Sequence, residues 1–423
     1  MSNRIWHPYT QMQTAGLPVN IVRGEGAYLY SEAGDKYIDA VSSWWTNIHG
    51  HAHPYIAERI AQQAKELEQV IFAGFTHPAA ERLAELLLER IPYHNKVFYS
   101  DNGSTAVEAG IKMALQYWFN KGEKRNRIIA FRDAYHGDTF GSMSISARGV
   151  FTQPFQPLLF EVDFIDTPDG SNSDHVLRQL QELFIDKESN IAAFIFEPLV
   201  LGSAGMLMYP PQVLEAILKL CKEYSILTIA DEVMTGFGRT GKFLATDHCL
   251  TKPDIICLSK GITGGFLPFA ATTCTDEIYN AFLSNDKAKM LFHGHSYTGN
   301  PLGCAAAIAS LELFEKEQTM QHVQRIELRH KAASALLSTY SSITNVRICG
   351  TILALEYRSA TTGYLSNIRD AAWRYFMDRH IILRPLGNTV YVLPPYCISN
   401  ADLEEVYKVL EGFAQHLLTS TVN

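Results

Sequence analysis

The chain has 423 residues, 47% of them apolar and 19% charged, with a formal net charge of −8. That length exceeds one ordinary hydrophobic core and implies a large unit plus a smaller one. The acidic balance, with no Lys/Arg run, excludes a nucleic-acid groove. No apolar run reaches the roughly 18 residues needed to span a bilayer. The start, Met1-Ser-Asn-Arg-Ile-Trp-His-Pro8, lacks the apolar stretch of a signal peptide. Seven cysteines without a CxxC read as reduced thiols, so a soluble cytoplasmic enzyme without membrane partners is expected.

In chain order, short strands are expected first, at Ile21-Val22 and over 27–30, with Gly34-Asp35 as a turn. A helix is predicted over 105–121, started by a capping box in Thr105-Ala-Val-Glu108. Short continuous apolar runs follow at 127–131, 191–196, 226–230, 255–258 and 269–273, as for strands buried on both faces. Between two of them, 210–224 has helical spacing at Val213, Leu214, Ile217, Leu218, Leu220 and Cys221. The alternation predicts an α/β fold, a predominantly parallel sheet wrapped by helices.

After about residue 315 the texture changes. An amphipathic stretch over 320–340 leads into 346–357. A helix over 366–380, short strands over 381–393 and a final helix over 400–418 follow. Without strict alternation this reads as a separate α+β unit, which the N-terminal strands are expected to join. The expected division is 1–45 and 316–423 in the smaller unit and 46–315 in the larger one.

Two of the apolar runs end in chemistry. Leu227-Thr-Ile-Ala-Asp231 closes on a carboxylate, and Leu258-Ser-Lys260 closes on an amine beside glycines. Strand ends of a parallel sheet converge on one ligand-binding edge. A structural salt bridge is one reading of the pair. The other is pyridoxal phosphate, whose ring nitrogen pairs with Asp and whose aldehyde a Lys captures as a Schiff base. Ser100-Asp-Asn-Gly103-Ser104-Thr105 opens the predicted helix as a plain N-cap or as a phosphate cup, where N–H groups and the helix dipole favour an anion. Tyr135-His136-Gly137 offers a ring to stack on a heterocycle, against the alternative of a turn-bound Tyr and His.

Ser42-Ser-Trp44-Trp45 places two large aromatics in a turn-like region. They either wall a substrate pocket, or divide between the core and a subunit contact. Arg384, before Pro385, is either solvated or a bidentate grip on a substrate carboxylate. His49-Gly-His51-Ala-His53 and His293-Gly-His295 match no strong metal pattern, so no metal is expected.

Together these residues resemble the class III aminotransferases of pyridoxal phosphate fold type I. The resemblance rests on Asn102-Gly-Ser104, Tyr135-His-Gly137, Glu197-Pro198, Asp231-Glu-Val-Met-Thr-Gly-Phe-Gly-Arg-Thr-Gly241, Ser259-Lys-Gly-Ile-Thr-Gly-Gly265 and His293-Gly-His-Ser-Tyr-Thr-Gly-Asn-Pro301. It implies a mostly parallel seven-stranded sheet, a homodimer, and a site at the subunit interface. Lys260, Asp231 and Tyr9 would be catalytic. Gly103, Ser104, Tyr135, Asp231, Lys260 and, from the partner subunit, Ser296 would hold the cofactor. Tyr9, Trp44, Trp45, Tyr135, Lys260, Gly294 and Arg384 would contact substrate.

Trp6-His-Pro-Tyr-Thr10, Ser42-Ser-Trp-Trp45, Ile48-His-Gly50, Tyr135-His-Gly-Asp-Thr-Phe-Gly141, Arg384-Pro385 and Leu393-Pro-Pro-Tyr396 resemble the biotin-pathway branch of this class. That resemblance implies a ping-pong transfer of an amino group to 8-amino-7-oxononanoate, giving 7,8-diaminononanoate. S-Adenosylmethionine is the expected donor and lysine the alternative. The nearest rival is an ω-aminotransferase acting on 4-aminobutyrate, ornithine or acetylornithine; an inert protein of the same fold is a second. One departure stands out: His295-Ser296 replaces the Pro-Thr of many members, which keeps a hydroxyl for phosphate.

Overall fold

The computed structural model describes residues 4–186, 190–359 and 368–420. At its centre is a seven-stranded sheet in the order Lys96–Ser100, Ala270–Cys274, Ile255–Leu258, Leu227–Asp231, Ile191–Phe196, Arg127–Phe131, Asp163–Ile165. Ala270–Cys274 runs antiparallel to both neighbours, and the other pairings inside the sheet are parallel. Ile191–Phe196, Leu227–Asp231 and Ile255–Leu258 are buried at every position. Their unbroken apolar runs are therefore explained by helices packing on both faces. The helix Gly103–Asn120 covers one face through Ala106, Met113, Ala114 and Tyr117. Pro211–Glu223 covers the other through Val213, Leu214, Ile217 and Leu218.

The five apolar runs all form strands, two of them shifted by one residue. The edge strands Lys96–Ser100 and Asp163–Ile165 had no distinctive sequence pattern. The helix Gly103–Asn120, preceded by Pro54–Glu66 and Pro78–Arg90, begins earlier than its expected box. Asn102, not Thr105, is the N-cap: its side chain accepts from Thr105 N at 3.1 Å, while Thr105 Oγ1 accepts from Asn102 N at 3.2 Å. Glu108, freed from capping, accepts instead from Thr139 Oγ1 and Gly141 N.

Ile21–Glu25, Tyr28–Ser31 and Lys36–Asp39 form an antiparallel meander, and Ile381–Ile382 adds to Lys36–Asp39 in parallel. A three-stranded sheet joins Ile343–Cys349, Ile352–Tyr357 and Thr389–Val392. Helices Thr319–Leu337, Ile368–Met377 and Asn400–Ser420 complete this part. Residues 366 and 367 of the expected 366–380 helix lie outside the described residues, as do 421–423. Among the described residues no helix is long and apolar enough to cross a membrane.

Candidate active site

Strand register alone brings the two chemical strand ends together. Asp231 pairs with Cys257 on the neighbouring strand, and Lys260 follows that strand by two residues. Lys260 itself adopts φ +45°, starting a tight turn that Gly264 closes in the left-handed region. Along the same edge the sheet delivers Gly103 and Ser104, Tyr135 and His136, and Glu197. They surround a cavity of about 210 Å³ together with Trp45.

Asp231 is not bonded to Lys260. Its Oδ2 lies 2.7 Å from His136 Nδ1, and its Oδ1 accepts from Val233 N at 3.1 Å. The Lys260 Nζ instead sits 4.8 Å from the Trp45 ring centroid. A structural Asp–Lys salt bridge is thereby excluded. Each Asp231 oxygen keeps acceptor capacity beyond its single donor, and the buried His136 Nε2 has no hydrogen-bond partner.

Burial pushes the Lys260 amine below its ordinary range, opposed by the negative charges of Asp231 and Glu197. Burial also raises Glu197 to about 7, against the pull of His136 and reinforced by Asp231. The Tyr135 hydroxyl is pushed well up, first by burial and then by its bond to Tyr9. A buried lysine whose charge is disfavoured is a nucleophile in waiting.

The cup at the other end depends on missing side chains. A Cβ on Gly137, at φ +132°, would lie 2.0 Å from Ser104 Oγ; one on Gly103 would lie 2.8 Å from Val233 Cγ1. Behind the cup starts an 18-residue helix. Helix starts present N–H groups and a positive dipole end, the ordinary setting for a phosphate.

A second cavity, of about 680 Å³, opens beside the first, walled by Tyr9, Trp44, Trp373 and Arg384. The Arg384 guanidinium carbon stacks 4.0 Å from the centroid of Trp44, whose edge meets Tyr9. The adjacent tryptophans part company: Trp44 is 37% exposed on the cavity wall, and Trp45 only 6%. Trp45 donates from Nε1 to the Tyr391 hydroxyl at 3.0 Å and turns its ring toward Lys260.

Tyr9, on the wall of the second cavity, reaches the Tyr135 that lines the first. Its hydroxyl lies 3.3 Å from that of Tyr135 and donates to Asp138 Oδ2. Asp138 N in turn donates to Ser104 Oγ at 3.3 Å. Asp138, Glu197, His136 and Trp373 were not among the expected site residues. Asp138 sits in a Gly-Asp-Thr turn without a distinguishing spacing. Glu197, one residue past the strand end Phe196, carried the same positional signal as Asp231. Gly294 and Ser296 are exposed on a separate loop and line neither cavity within one chain.

A parallel sheet with an Asp and a Lys at its carboxyl edge, facing a phosphate-type cup, defines a pyridoxal phosphate enzyme of fold type I. More narrowly, the chain belongs to the class-III aminotransferases, whose family model (Aminotransferase class-III) matches residues 9–413. It is 46% identical over 413 residues to an adenosylmethionine-8-amino-7-oxononanoate aminotransferase of Synechococcus elongatus, covering 96% of this chain and 97% of that one. It is similar to the crystal structure of the enzyme of that name from Methanocaldococcus jannaschii, with TM-score 0.91, 37% identity and 97% coverage of each chain. It is also similar to a PLP-bound amine transaminase from an uncultivated Pseudomonas species. There the TM-score is 0.89 and the identity 31%, over 96% of this chain and 97% of that one. Pyridoxal phosphate is the cofactor of this class, and the residues present fit it: a glycine-shaped cup, an Asp with spare acceptor capacity, and a buried amine.

Proposed function

We propose that this chain transfers an amino group to 8-amino-7-oxononanoate, with S-adenosylmethionine as donor, and releases 7,8-diaminononanoate. The observation that carries the reading is the shape of the second cavity. Two tryptophans and a tyrosine wall a passage, Arg384 stands over Trp44 inside it, and the Tyr9 hydroxyl on its wall reaches Tyr135, which lines the Lys260 cavity. A long apolar chain ending in a carboxylate suits that passage, because the guanidinium fork accepts a carboxylate bidentately. The names of the relatives support the same acceptor.

Within this reading Gly103 and Ser104 hold the cofactor phosphate, Asp231 its ring nitrogen and Tyr135 its face. When bound, pyridoxal phosphate supplies an aldehyde for the amino group and an electron sink for the carbon that loses its proton. Lys260 presents the amine that anchors the cofactor, and its Nζ takes and returns the proton at the reacting carbon. Trp45 packs over that amine and limits water. Tyr9 and Asp138 orient the substrate where the two cavities adjoin, and Arg384 binds its carboxylate.

The proposal includes a cytoplasmic homodimer. Exposed Ile71, Phe75, Phe292 and Tyr297 lie on two loops that touch through Gln69 and Asn300, a patch suited to a second copy. Such a copy would bring Gly294 and Ser296 to its partner's site. Residues 46–315 are assigned to the cofactor-binding unit, and 1–45 with 316–423 to the other. The parallel pairing of Lys36–Asp39 with Ile381–Ile382 supports that division.

Holoenzyme loaded with each amine donor in turn, then mixed with 8-amino-7-oxononanoate, tests the reading. Stoichiometric 7,8-diaminononanoate by mass spectrometry is expected with S-adenosylmethionine. Product with lysine alone would change the donor. Turnover of 4-aminobutyrate or ornithine, with none of this ketone, would replace the proposed function by an ω-amine activity.

A further inference from the structure

The two tryptophans stand on strained backbone. Ser42, Ser43 and Trp45 have φ of 52°, 60° and 69°, and Ser43 combines its value with ψ −87°. Side chains with a Cβ adopt such angles at a cost and keep them only where the surroundings over-determine the turn. Here a single buried carboxylate gathers the turn. Asp39 Oδ1 accepts from Val41 N at 3.1 Å, and Oδ2 accepts from Ser43 N at 2.6 Å and from Ser43 Oγ at 3.3 Å.

Asp39 is itself held by the histidine motif that matched no metal pattern. His51 Nε2 lies 2.9 Å from Asp39 Oδ2, with the Asp39 side chain fully buried and that of His51 11% exposed. The tautomer follows from the next partner. Gly50 N donates to Asn47 Oδ1 at 2.8 Å, which fixes the amide so that its Nδ2 donates to His51 Nδ1 at 3.0 Å. His51 Nδ1 is therefore an acceptor, and Nε2 carries the hydrogen directed at Asp39. The far end of the strand pairing is just as relevant. Asp39 is in register with Ile382, two residues before Arg384, and Ala40 N donates to Ile382 O.

We propose that Asp39 and His51 are positioning residues for the substrate pocket: the chain Asn47–His51–Asp39 locks the strained turn and so sets Trp44 against Arg384. Neither residue reaches the cavities. They act through the tryptophans, one stacked on the carboxylate-binding arginine and the other over the Lys260 amine. The inference deepens the proposed function and rests on its assignment of this passage to a carboxylate-ended substrate.

The test uses holoenzyme and two readouts. His51→Ala is expected to raise KM for 8-amino-7-oxononanoate about tenfold, with kcat within about threefold of the parent. Nonanoate, an inert chain of the same carboxylate-ended type, should lose inhibition by a similar factor. His51→Gln, whose side-chain amide can still donate to Asp39, should restore both to within about threefold. If His51→Ala does not fold, Asp39→Asn carries the same expectations. Lower melting temperature with unchanged KM and unchanged nonanoate inhibition would overturn the proposal, as would equal losses in the Ala and Gln variants. A parent enzyme inactive on 8-amino-7-oxononanoate strikes the functional reading instead, and the nonanoate arm still decides this one.

Discussion

The cavity around Lys260 and the cavity under Arg384 adjoin where Tyr135 of the first meets Tyr9 of the second, but they are built by different rules. The first hangs almost wholly from the strand ends of one sheet. Asp231 ends, and Glu197 and Lys260 follow, strands buried at every position, while Tyr135 follows Arg127–Phe131 and Gly103 the edge strand Lys96–Ser100. The second is assembled from remote pieces: an N-terminal segment with Tyr9, the strained turn with Trp44, the helix with Trp373 and the strand end with Arg384. What holds it is side-chain bonding and stacking rather than a ladder. Chemistry that must not vary sits on the rigid frame, and recognition sits where walls can be exchanged without disturbing it.

Substitutions should separate the two. Lys260→Ala removes the amine and the proton carrier of the first cavity, so turnover should fall by about 10³-fold or more with either substrate. Loss of the cofactor's visible absorption band shift on borohydride treatment provides the independent measure. Residual activity within tenfold of the parent would remove Lys260 from the chemistry.

Asp138→Asn should be next in size and is the one change expected to injure both cavities. The carboxylate accepts from Tyr9 while its backbone N–H reaches Ser104 in the cup. Half-reactions with donor and with ketone should each slow by about 10²-fold, because the charge-assisted bond that fixes Tyr9 against this exposed carboxylate is lost where the cavities adjoin. Slowing confined to one half-reaction would show that the junction serves one cavity only.

Arg384→Ala should act on the second cavity alone. KM for 8-amino-7-oxononanoate is expected to rise by about 10²-fold, with kcat and cofactor binding kept, as for an interaction made equally in ground and transition states. Arg384→Lys should fall between, since an ammonium retains the charge without the planar fork. Unchanged KM in both variants would break the assignment of this passage to a carboxylate.

The same division explains what the amino-acid sequence made legible. Strand ends are local signals: an apolar run stopping at Asp231, or two residues before Lys260, can be read without knowing any distant contact. Asp231, Lys260 and Tyr135 were visible that way, Gly103 as a helix start, and Glu197 could have been by the strand-end logic. Asp138 could not, because its role depends on Tyr9 folding across from the far end of the chain. The helix start was misplaced by the box at Thr105 because Asn102, two residues past a strand end, caps three residues earlier and takes Thr105 N, leaving Thr105 inside the first turn. Trp44 and Trp45 were conspicuous as a pair, but their separate fates follow from a turn geometry that no propensity favours.

Glu197 gives the finest test, because it lines the rigid cavity and not the cavity of Arg384. Its Oε1 accepts from Tyr135 N at 2.9 Å and Oε2 from Gly202 N at 3.1 Å, bonds that favour the ionised form. Burial, and then the nearby Asp231, act against ionisation and raise it to about 7 from an ordinary glutamate's 4.5. The folded protein therefore binds this proton more tightly than the unfolded chain does. The associated stability is complete below about pH 4.5 and is lost as pH rises through about 7. Glu197→Gln keeps one acceptor for the backbone and removes the titration. Unfolding in urea should then show a flatter pH dependence between those limits. The cofactor cavity should also lose an inflection near pH 7 in kcat, with only a few-fold change in rate at pH 8. The Arg384 cavity, which does not contain this group, should keep its KM across the same range. A parent and variant with superimposable profiles would mean that Glu197 holds one protonation state throughout.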